Sequence, residues 1–238
     1  MQASEREFRY RFWIFFGLFW AAFLCYRIDH VNAGQWLLRR LGPADPGRRA
    51  LQLLFGVAAL TACAAAALRT WATAYLRTNV VHDGAVRTEG LVADGPYRHV
   101  RNPLYLGTQL LMIGMGLLTS RLGALVLIGG GLLFHLRLIG REEAALAAAQ
   151  GESFRAYAAR VPRFLPSLRA RVPRSGRAPR WGDGFAGEAF FWVIALAVTT
   201  FAITLEPRGL LVISLGGAAL YVALTAVLRR RAAARPGG

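Results

Sequence analysis

The residues best suited to binding chemistry are concentrated in one polar window, Gly90–Gly107, which lies between two apolar segments. The window combines Arg98 and Arg101 with glycines, prolines and tyrosines. Glycine lets the backbone approach a ligand closely, proline fixes a turn, and the arginine guanidinium matches carboxylate and phosphate groups. The window therefore predicts a site for an anionic group at the mouth of a set of apolar helices.

A second polar block follows the next apolar hairpin and begins with the pair Glu142-Glu143. The hairpin returns the chain from residue 104 to the same side near residue 140, so we expect this pair to lie beside Arg101. Two adjacent carboxylates suit an ammonium group or sugar hydroxyls, although charged pairs also stand at ordinary solvated helix ends. Taken alone, the pair leaves both interpretations open.

Two histidines also have more than one interpretation. His135 precedes Glu142 by seven residues and therefore lies on roughly the same helical face. We expect it either to line a substrate cavity, since ionisable side chains inside apolar segments are often functional, or to be a satisfied structural histidine. His82 either takes part in the site or is a loop histidine at the membrane interface.

Two blocks of this sequence resemble the signature of the isoprenylcysteine carboxyl methyltransferases and their phospholipid methyltransferase relatives. The first block reads Gly-Pro-Tyr and then Arg-Asn-Pro-x-Tyr-x-Gly, ending at Gly107. The second block comprises Glu142-Glu143, Gly151, Phe154, Tyr157 and Arg160-Val161-Pro162. The resemblance covers about residues 72–166 and implies an integral-membrane enzyme that transfers a methyl group from S-adenosyl-L-methionine.

The resemblance implies a set of residues that bind this cofactor. We expect Arg101 and Asn102 to hold its carboxylate through charge-assisted hydrogen bonds, and Glu142 and Glu143 to bind its ammonium group or ribose hydroxyls. The other predicted cofactor-binding residues supply turns or packing around adenine and ribose. They are His82, Leu91, Val92, Gly95, Tyr97, Pro103 and Tyr105.

The sequence departs from the family pattern at a cofactor-contacting position and at a substrate-facing position. Asn102 stands where the best-known members have histidine, so this position keeps a donor and an acceptor but does not titrate. An arginine that faces substrate in the family aligns with Leu138, which leaves Arg137 or Arg141 to serve. We therefore predict Arg137, Arg141 and His135 as the catalytic, substrate-facing residues, with no metal ligand among them.

Composition and patterning predict an all-α polytopic membrane helix bundle with about six transmembrane helices and a cytoplasmic cofactor site. The mean hydropathy is +0.37, and 55% of the residues are hydrophobic. A bilayer-spanning helix needs about 20 apolar residues. Six segments approach that length: Phe12–Ile28, Leu51–Leu68, Leu104–Thr119, Leu122–Ile139, Ala186–Leu205 and Leu210–Leu228.

The charge of the chain fits a membrane protein better than a nucleic-acid partner. The net charge of +16 comes from arginines clustered beside the apolar segments, where the positive-inside rule and anionic lipids account for them. No nucleic-acid motif accompanies them. We expect a multi-pass protein of a bacterial inner membrane with its site facing the cytoplasm. Segment Asp29–Ala50 conflicts with this orientation, because it carries four arginines on the predicted outer side.

Four sequence regions are predicted: a transmembrane pair (1–71), a methyltransferase-like core (72–168), a basic linker (169–185) and a C-terminal hairpin with a basic tail (186–238). The expected function is methyl transfer to a lipophilic or membrane-embedded carboxylate, amine or thiol, with membrane lipids as partners. Direct displacement at a methyl carbon requires alignment more than side-chain chemistry, so no catalytic dyad is expected. Two alternatives stay open: a non-catalytic membrane protein of the same fold, and a reductase relative that uses NADPH.

Overall fold

The computed structural model describes residues 2–42, 45–76, 93–217 and 219, and every regular element within these ranges is a helix. The predicted site residues His82, Leu91 and Val92 lie outside the described residues. The helices are α1 (Glu5–Arg9), α2 (Arg11–Leu24), α3 (Ala33–Leu41), α4 (Arg48–Tyr75), α5 (Pro103–Gly116), α6 (Arg121–Arg160), α7 (Trp181–Gly187), α8 (Ala189–Thr204) and α9 (207–217). The prediction of an all-α protein is therefore confirmed for the described part of the chain.

Two of these helices, α4 and α6, are long and apolar enough to cross a membrane. Helix α4 has 28 residues and is about 42 Å long at the usual rise per residue. Helices α7 and α8 make a third candidate span if they are taken together, although they are bent by 62° relative to each other. The sequence predicted about six spans, whereas the described residues provide two, or three with the bent pair.

The shorter apolar helices explain much of this difference. Helices α2 and α5 have 14 residues each, which corresponds to about 21 Å and is less than the thickness of a bilayer core. Helix α5 begins at Pro103, where the fixed φ of proline suits the first helical position. Helix α6 begins after Ser120, whose hydroxyl accepts a hydrogen bond from the Gly123 amide at 3.0 Å. These caps define the tight hairpin predicted from the sequence.

Small residues let α4 and α5 approach each other closely. A side chain at Gly107 would meet the Arg69 Cγ at 2.5 Å and the Ala65 carbonyl oxygen at 3.2 Å. A side chain at Gly114 would collide with Thr61, also on α4. Close backbone contact through glycine and alanine is typical of helix pairs in membranes. The pairing fixes the start of α5, and therefore the first predicted motif, against α4.

The C-terminal helices pack along α4 and are joined to it by a buried ion pair. Arg69 on α4 donates two hydrogen bonds to the Glu188 carboxylate, at 2.6 and 3.1 Å, and Thr73 donates a third at 2.7 Å. Arg69 also donates to Thr108 Oγ1 at 2.8 Å and to the Leu104 carbonyl oxygen at 3.0 Å on α5. Glu188 is 1% exposed. One guanidinium therefore connects α4, α5 and the junction before α8.

Candidate active site

The hairpin of α5 and α6 brings the two predicted motifs together. The Tyr105 hydroxyl on α5 donates a hydrogen bond to Glu142 Oε1 on α6 at 2.7 Å. One turn earlier, the Asn102 side-chain amide donates to Glu143 Oε1 at 3.1 Å. The structure therefore brings Arg101, Asn102 and Tyr105 beside Glu142 and Glu143, and we call these five residues the carboxylate cluster.

Glu143 is the centre of the ionic contacts in the carboxylate cluster. Its Oε1 lies 3.4 Å from Arg101 Nε, and its Oε2 lies 2.9 Å from Arg163 Nε. The Asn102 side-chain amide also donates to the Arg163 carbonyl oxygen at 2.9 Å. The backbone amide of Arg101 donates to the Pro162 carbonyl oxygen, also at 2.9 Å. Hydrogen bonds therefore join residues 162–163 to the segment before α5.

Arg163 was not among the predicted site residues. It directly follows the Arg160-Val161-Pro162 end of the second motif, but its type and position alone do not distinguish it from the other arginines of this basic region. Its contact with Glu143 depends on the turn that the chain makes after α6. The nearest sequence signal is its adjacency to the second motif.

Arg101 has a donor that the described part of the protein does not satisfy. Its side chain is 15% exposed, and its Nε is buried without a hydrogen-bond partner among the described residues. The Glu143 carboxylate lies close enough for an ion pair but is not aligned for a hydrogen bond. A buried unsatisfied donor is costly, and a bound anion would relieve that cost. The residue types and this orphaned donor fit a ligand that carries a carboxylate.

The last part of α6, after Gly151, packs against the loop that precedes α5. Gly151 has φ of 55°, a left-handed conformation that breaks α6 and redirects residues 152–160. Tyr157 from this last part of α6 donates a hydrogen bond to the Tyr97 carbonyl oxygen at 2.8 Å. Burial raises the pKa of Tyr97 well above its usual value, so its phenol stays neutral. Tyr97 is therefore a rigid part of the wall beside Arg101.

Gly95 faces a different part of the molecule from the carboxylate cluster. It has φ of 57°, and a side chain there would collide with the ring of Tyr75 at the end of α4. Pro103 lies at the first position of α5 and is buried. The structure therefore places Pro103 directly beside Asn102, whereas Gly95 shapes the contact between the loop and α4.

The three predicted substrate-facing residues of α6 each contact the N-terminal segment of the chain. His135 is fully buried, and its Nδ1 donates to the Gln109 Oε1 at 2.9 Å. The centre of the His135 ring lies 4.8 Å from the centre of the Phe15 ring and 5.4 Å from the centre of the Tyr105 ring. His135 Nε2 is buried with no hydrogen-bond partner in the described part of the chain. Through Tyr105, His135 adjoins the carboxylate cluster.

Arg137 and Arg141 hold helix α1 against α6. Arg137 donates to both carboxylate oxygens of Glu7, at 3.2 and 2.8 Å. Arg141 donates to the Ala3 carbonyl oxygen at 3.2 Å. In this arrangement neither guanidinium is paired with the carboxylate cluster among the described contacts. The α1 segment instead covers the side of α6 on which these two arginines lie.

Comparison with known protein families gives a match for part of this chain. Residues 52–152 match the phospholipid methyltransferase family, which confirms the family resemblance carried by the two motifs. The match includes all five residues of the carboxylate cluster, while Arg163 and Glu188 lie outside it. No curated protein and no solved structure matches the chain significantly.

Proposed function

We propose, from the premise that residues 52–152 are a phospholipid methyltransferase segment, that the protein transfers a methyl group from S-adenosyl-L-methionine to a lipophilic acceptor in a membrane. The observation that carries this proposal is the carboxylate cluster, which lies within the matched residues and contains an unsatisfied buried donor at Arg101. Bound S-adenosyl-L-methionine would supply an activated methyl group there.

The charges of the cluster suit the amino-acid end of this cofactor. Arg101 and Arg163 both pair with Glu143, and Glu142 adds a second carboxylate beside them, so two guanidinium groups and two carboxylates balance in charge. A ligand with one carboxylate and one ammonium group preserves this balance when it binds. Arg101 is positioned to take the carboxylate, and Glu142, whose described side-chain hydrogen bond comes from Tyr105 alone, is positioned to take the ammonium group.

The same proposal assigns the acceptor to the place where the part of α6 that contains His135, Arg137 and Arg141 meets the N-terminal segment. His135 touches Tyr105, and Tyr105 touches Glu142, so this place adjoins the proposed cofactor site. Methyl transfer requires the acceptor atom, the methyl carbon and the sulfur to be aligned with water excluded. An apolar surround of Phe15, Phe134 and Leu138 favours a lipophilic acceptor at this place.

We place the protein in a bacterial inner membrane with about six spans and the carboxylate cluster on the cytoplasmic side. Helices α4 and α6 support membrane insertion by length and hydropathy. The boundaries 1–71, 72–168, 169–185 and 186–238 belong to the same proposal. The ion pair between Arg69 and Glu188 crosses from the first of these regions to the last.

The test is direct measurement of cofactor binding by the detergent-purified full-length protein, followed by incubation with methyl-labelled S-adenosyl-L-methionine and a total membrane lipid extract. The wild-type protein should bind the cofactor and label a lipid-soluble product. Arg101→Gln should bind about tenfold more weakly or worse, because one charge-assisted contact contributes about 1.5–3 kcal/mol. Arg155→Gln is the matched control, since Arg155 is exposed and pairs only locally with Glu152.

The outcomes separate the competing functions. Loss of affinity in Arg101→Gln alone, together with a labelled product, supports the proposal. Equal affinities of Arg101→Gln and Arg155→Gln would remove Arg101 from the cofactor site. Binding of NADPH in place of S-adenosyl-L-methionine would favour a reductase, and binding of neither would favour a non-catalytic membrane protein.

A further inference from the structure

A cavity lies beside the loop that precedes α5, and none of the five residues of the carboxylate cluster lines it. It has a volume of about 370 Å³ and is enclosed by the end of α4, the loop at residues 94–99 and the segment at residues 174–179. Among its described lining residues the arginines are Arg98, Arg174 and Arg177, and the only carboxylate is that of Asp94. The cavity therefore carries an excess of positive charge.

Asp94 is held in the turn that builds this cavity, and its single negative charge offsets only one of the three arginine charges. Its carboxylate accepts hydrogen bonds from the Ser175 hydroxyl, from the Ser175 amide at 2.9 Å and from the Arg177 amide at 3.2 Å. Burial alone would raise the pKa of Asp94, but these bonds hold that pKa below its usual value, so the group stays ionised and bound to the turn. Gly176 completes the turn with φ of 88°.

The arginines of the cavity keep donors that the described residues do not use. Arg98 donates through Nε to the Val172 carbonyl oxygen at 2.9 Å, and Arg177 donates through Nη1 to the Tyr75 carbonyl oxygen at 3.2 Å. Each bond employs one donor of a guanidinium that has five. Arg174 makes no hydrogen bond or ion pair with the described part of the chain. Three guanidinium groups that line one cavity thus keep donors without a partner among the described residues.

The other walls of the cavity are aromatic. Trp71 and Tyr75 come from the last turns of α4, and the Trp71 ring lies 6.1 Å from the ring of His99. His99 donates through Nδ1 to the Ser167 carbonyl oxygen at 2.9 Å, which leaves Nε2 for another partner. Tryptophan and tyrosine are enriched at the ends of membrane-spanning helices, where their rings lie at the level of lipid headgroups. The cavity therefore opens at headgroup depth if α4 spans the membrane.

We propose that this cavity, formed by Arg98, Arg174, Arg177 and the Trp71 and Tyr75 rings, is a binding site for a phosphate group, separate from the carboxylate cluster. Guanidinium groups bind phosphate in a bidentate manner, and the cavity is lined by three of them against one carboxylate among its described lining residues. The position at the end of an apolar helix fits the phosphate of a lipid headgroup, and a free phosphate has the same chemistry. The site does not depend on the methyltransferase function.

The experiment titrates the full-length protein in neutral detergent with two probes, inorganic phosphate and dihexanoyl phosphatidylglycerol below its micelle concentration. Isothermal titration calorimetry gives stoichiometry and affinity. The variant Arg174→Gln/Arg177→Gln should bind about tenfold more weakly, because it removes two charged partners. The control Arg155→Gln/Arg169→Gln removes two exposed arginines from the neighbouring segments without touching the cavity.

Every result decides the proposal. One-to-one binding that the cavity variant loses and the control keeps supports the site. Response to the lipid alone identifies a headgroup, response to inorganic phosphate alone identifies a free phosphate, and equal response to both means that the phosphate group itself is recognised. Binding of neither probe, or an equal loss in both double variants, overturns the site in favour of general electrostatic attraction. If the double variant fails to fold, Arg174→Gln alone must weaken binding by about threefold, and unchanged affinity overturns the site. Cofactor affinity, measured in parallel, tests the proposed methyltransferase function separately.

Discussion

At the scale of single residues, the two glutamates of the carboxylate cluster have different hydrogen-bond and ion-pair partners. Glu143 contacts Arg101, Arg163 and Asn102, whereas the described side-chain hydrogen bond of Glu142 comes from Tyr105. We therefore assign Glu143 mainly to positioning Arg101 and Glu142 to contacting the cofactor. This division follows from geometry, because the two adjacent glutamates are chemically identical in the sequence.

Substitution of Glu142 by glutamine tests this assignment. The Tyr105 hydroxyl still has an amide oxygen to donate to, so the hairpin should keep its fold, while the ammonium group of the cofactor loses a charged partner. Cofactor affinity should fall by about 1.5–3 kcal/mol, the usual contribution of a hydrogen bond to a charged group. Tyr105→Phe is the companion variant, since it leaves the Glu142 charge in place. Calorimetry showing unchanged affinity for Glu142→Gln would remove Glu142 from the cofactor site and leave it as the hydrogen-bond partner of Tyr105.

Some contacts of the carboxylate cluster could be predicted from the sequence, and others could not. The proximity of Arg101 to Glu142 and Glu143 follows from a short hairpin between two apolar segments, and the structure agrees with it. Arg163 and Arg69 are indistinguishable from the other arginines until the fold shows which of them faces a carboxylate. Local spacing thus predicts contacts across a hairpin, while pairs that depend on tertiary packing require the structure.

At the scale of elements, helix α1 is held on α6 by a few polar contacts. Glu7 accepts hydrogen bonds from Arg137 and, within α1, from the Ser4 amide at 2.6 Å as part of a capping box. The hydrogen bond from Arg137 and the bonds from Ser4 lower the pKa of Glu7 to about 2.

The apolar segments predicted α2, α4 and α5 approximately. The docking of α1 and the break of α6 at Gly151 depend on contacts that leave no periodic signal in the sequence.

The docking of α1 should depend on the charge of Glu7. Its pKa is lowered in the folded state, so its stabilising contribution is present above the ordinary carboxyl value near 4.5 and is lost as the pH falls towards 2. Glu7→Gln keeps a capping-box residue but weakens the pair with Arg137. Hydrogen exchange of residues 4–9 should therefore be faster in Glu7→Gln at neutral pH, whereas Glu5→Gln, an exposed control, should exchange like the wild type. Equal exchange in all three proteins would contradict this role.

At the scale of the whole molecule, the contact between Arg69 and Glu188 joins the family-matched segment to a C-terminal region outside the match. Arg69 also lies 4.1 Å from the centre of the Phe191 ring, so its charge is enclosed by α4, α5 and α8. The sequence predicts the apolar helices of both regions but not the ion pair between them. The C-terminal helices therefore stabilise the surroundings of α5, from which the carboxylate cluster is built.

Glu188→Gln should destabilise the folded protein as a whole. It leaves the Arg69 guanidinium buried without its opposite charge, and breaking one side of a buried ion pair typically costs about 3–5 kcal/mol. The thermal unfolding midpoint in detergent should drop, and Glu206→Gln, an exposed glutamate in the turn after α8, should leave it unchanged. The double variant Arg69→Gln/Glu188→Gln should recover part of the loss, because no unpaired charge remains. Equal midpoints for Glu188→Gln and the wild type would mean that water or another group compensates Arg69, and the C-terminal region would then be a weaker support for the site than the ion pair indicates.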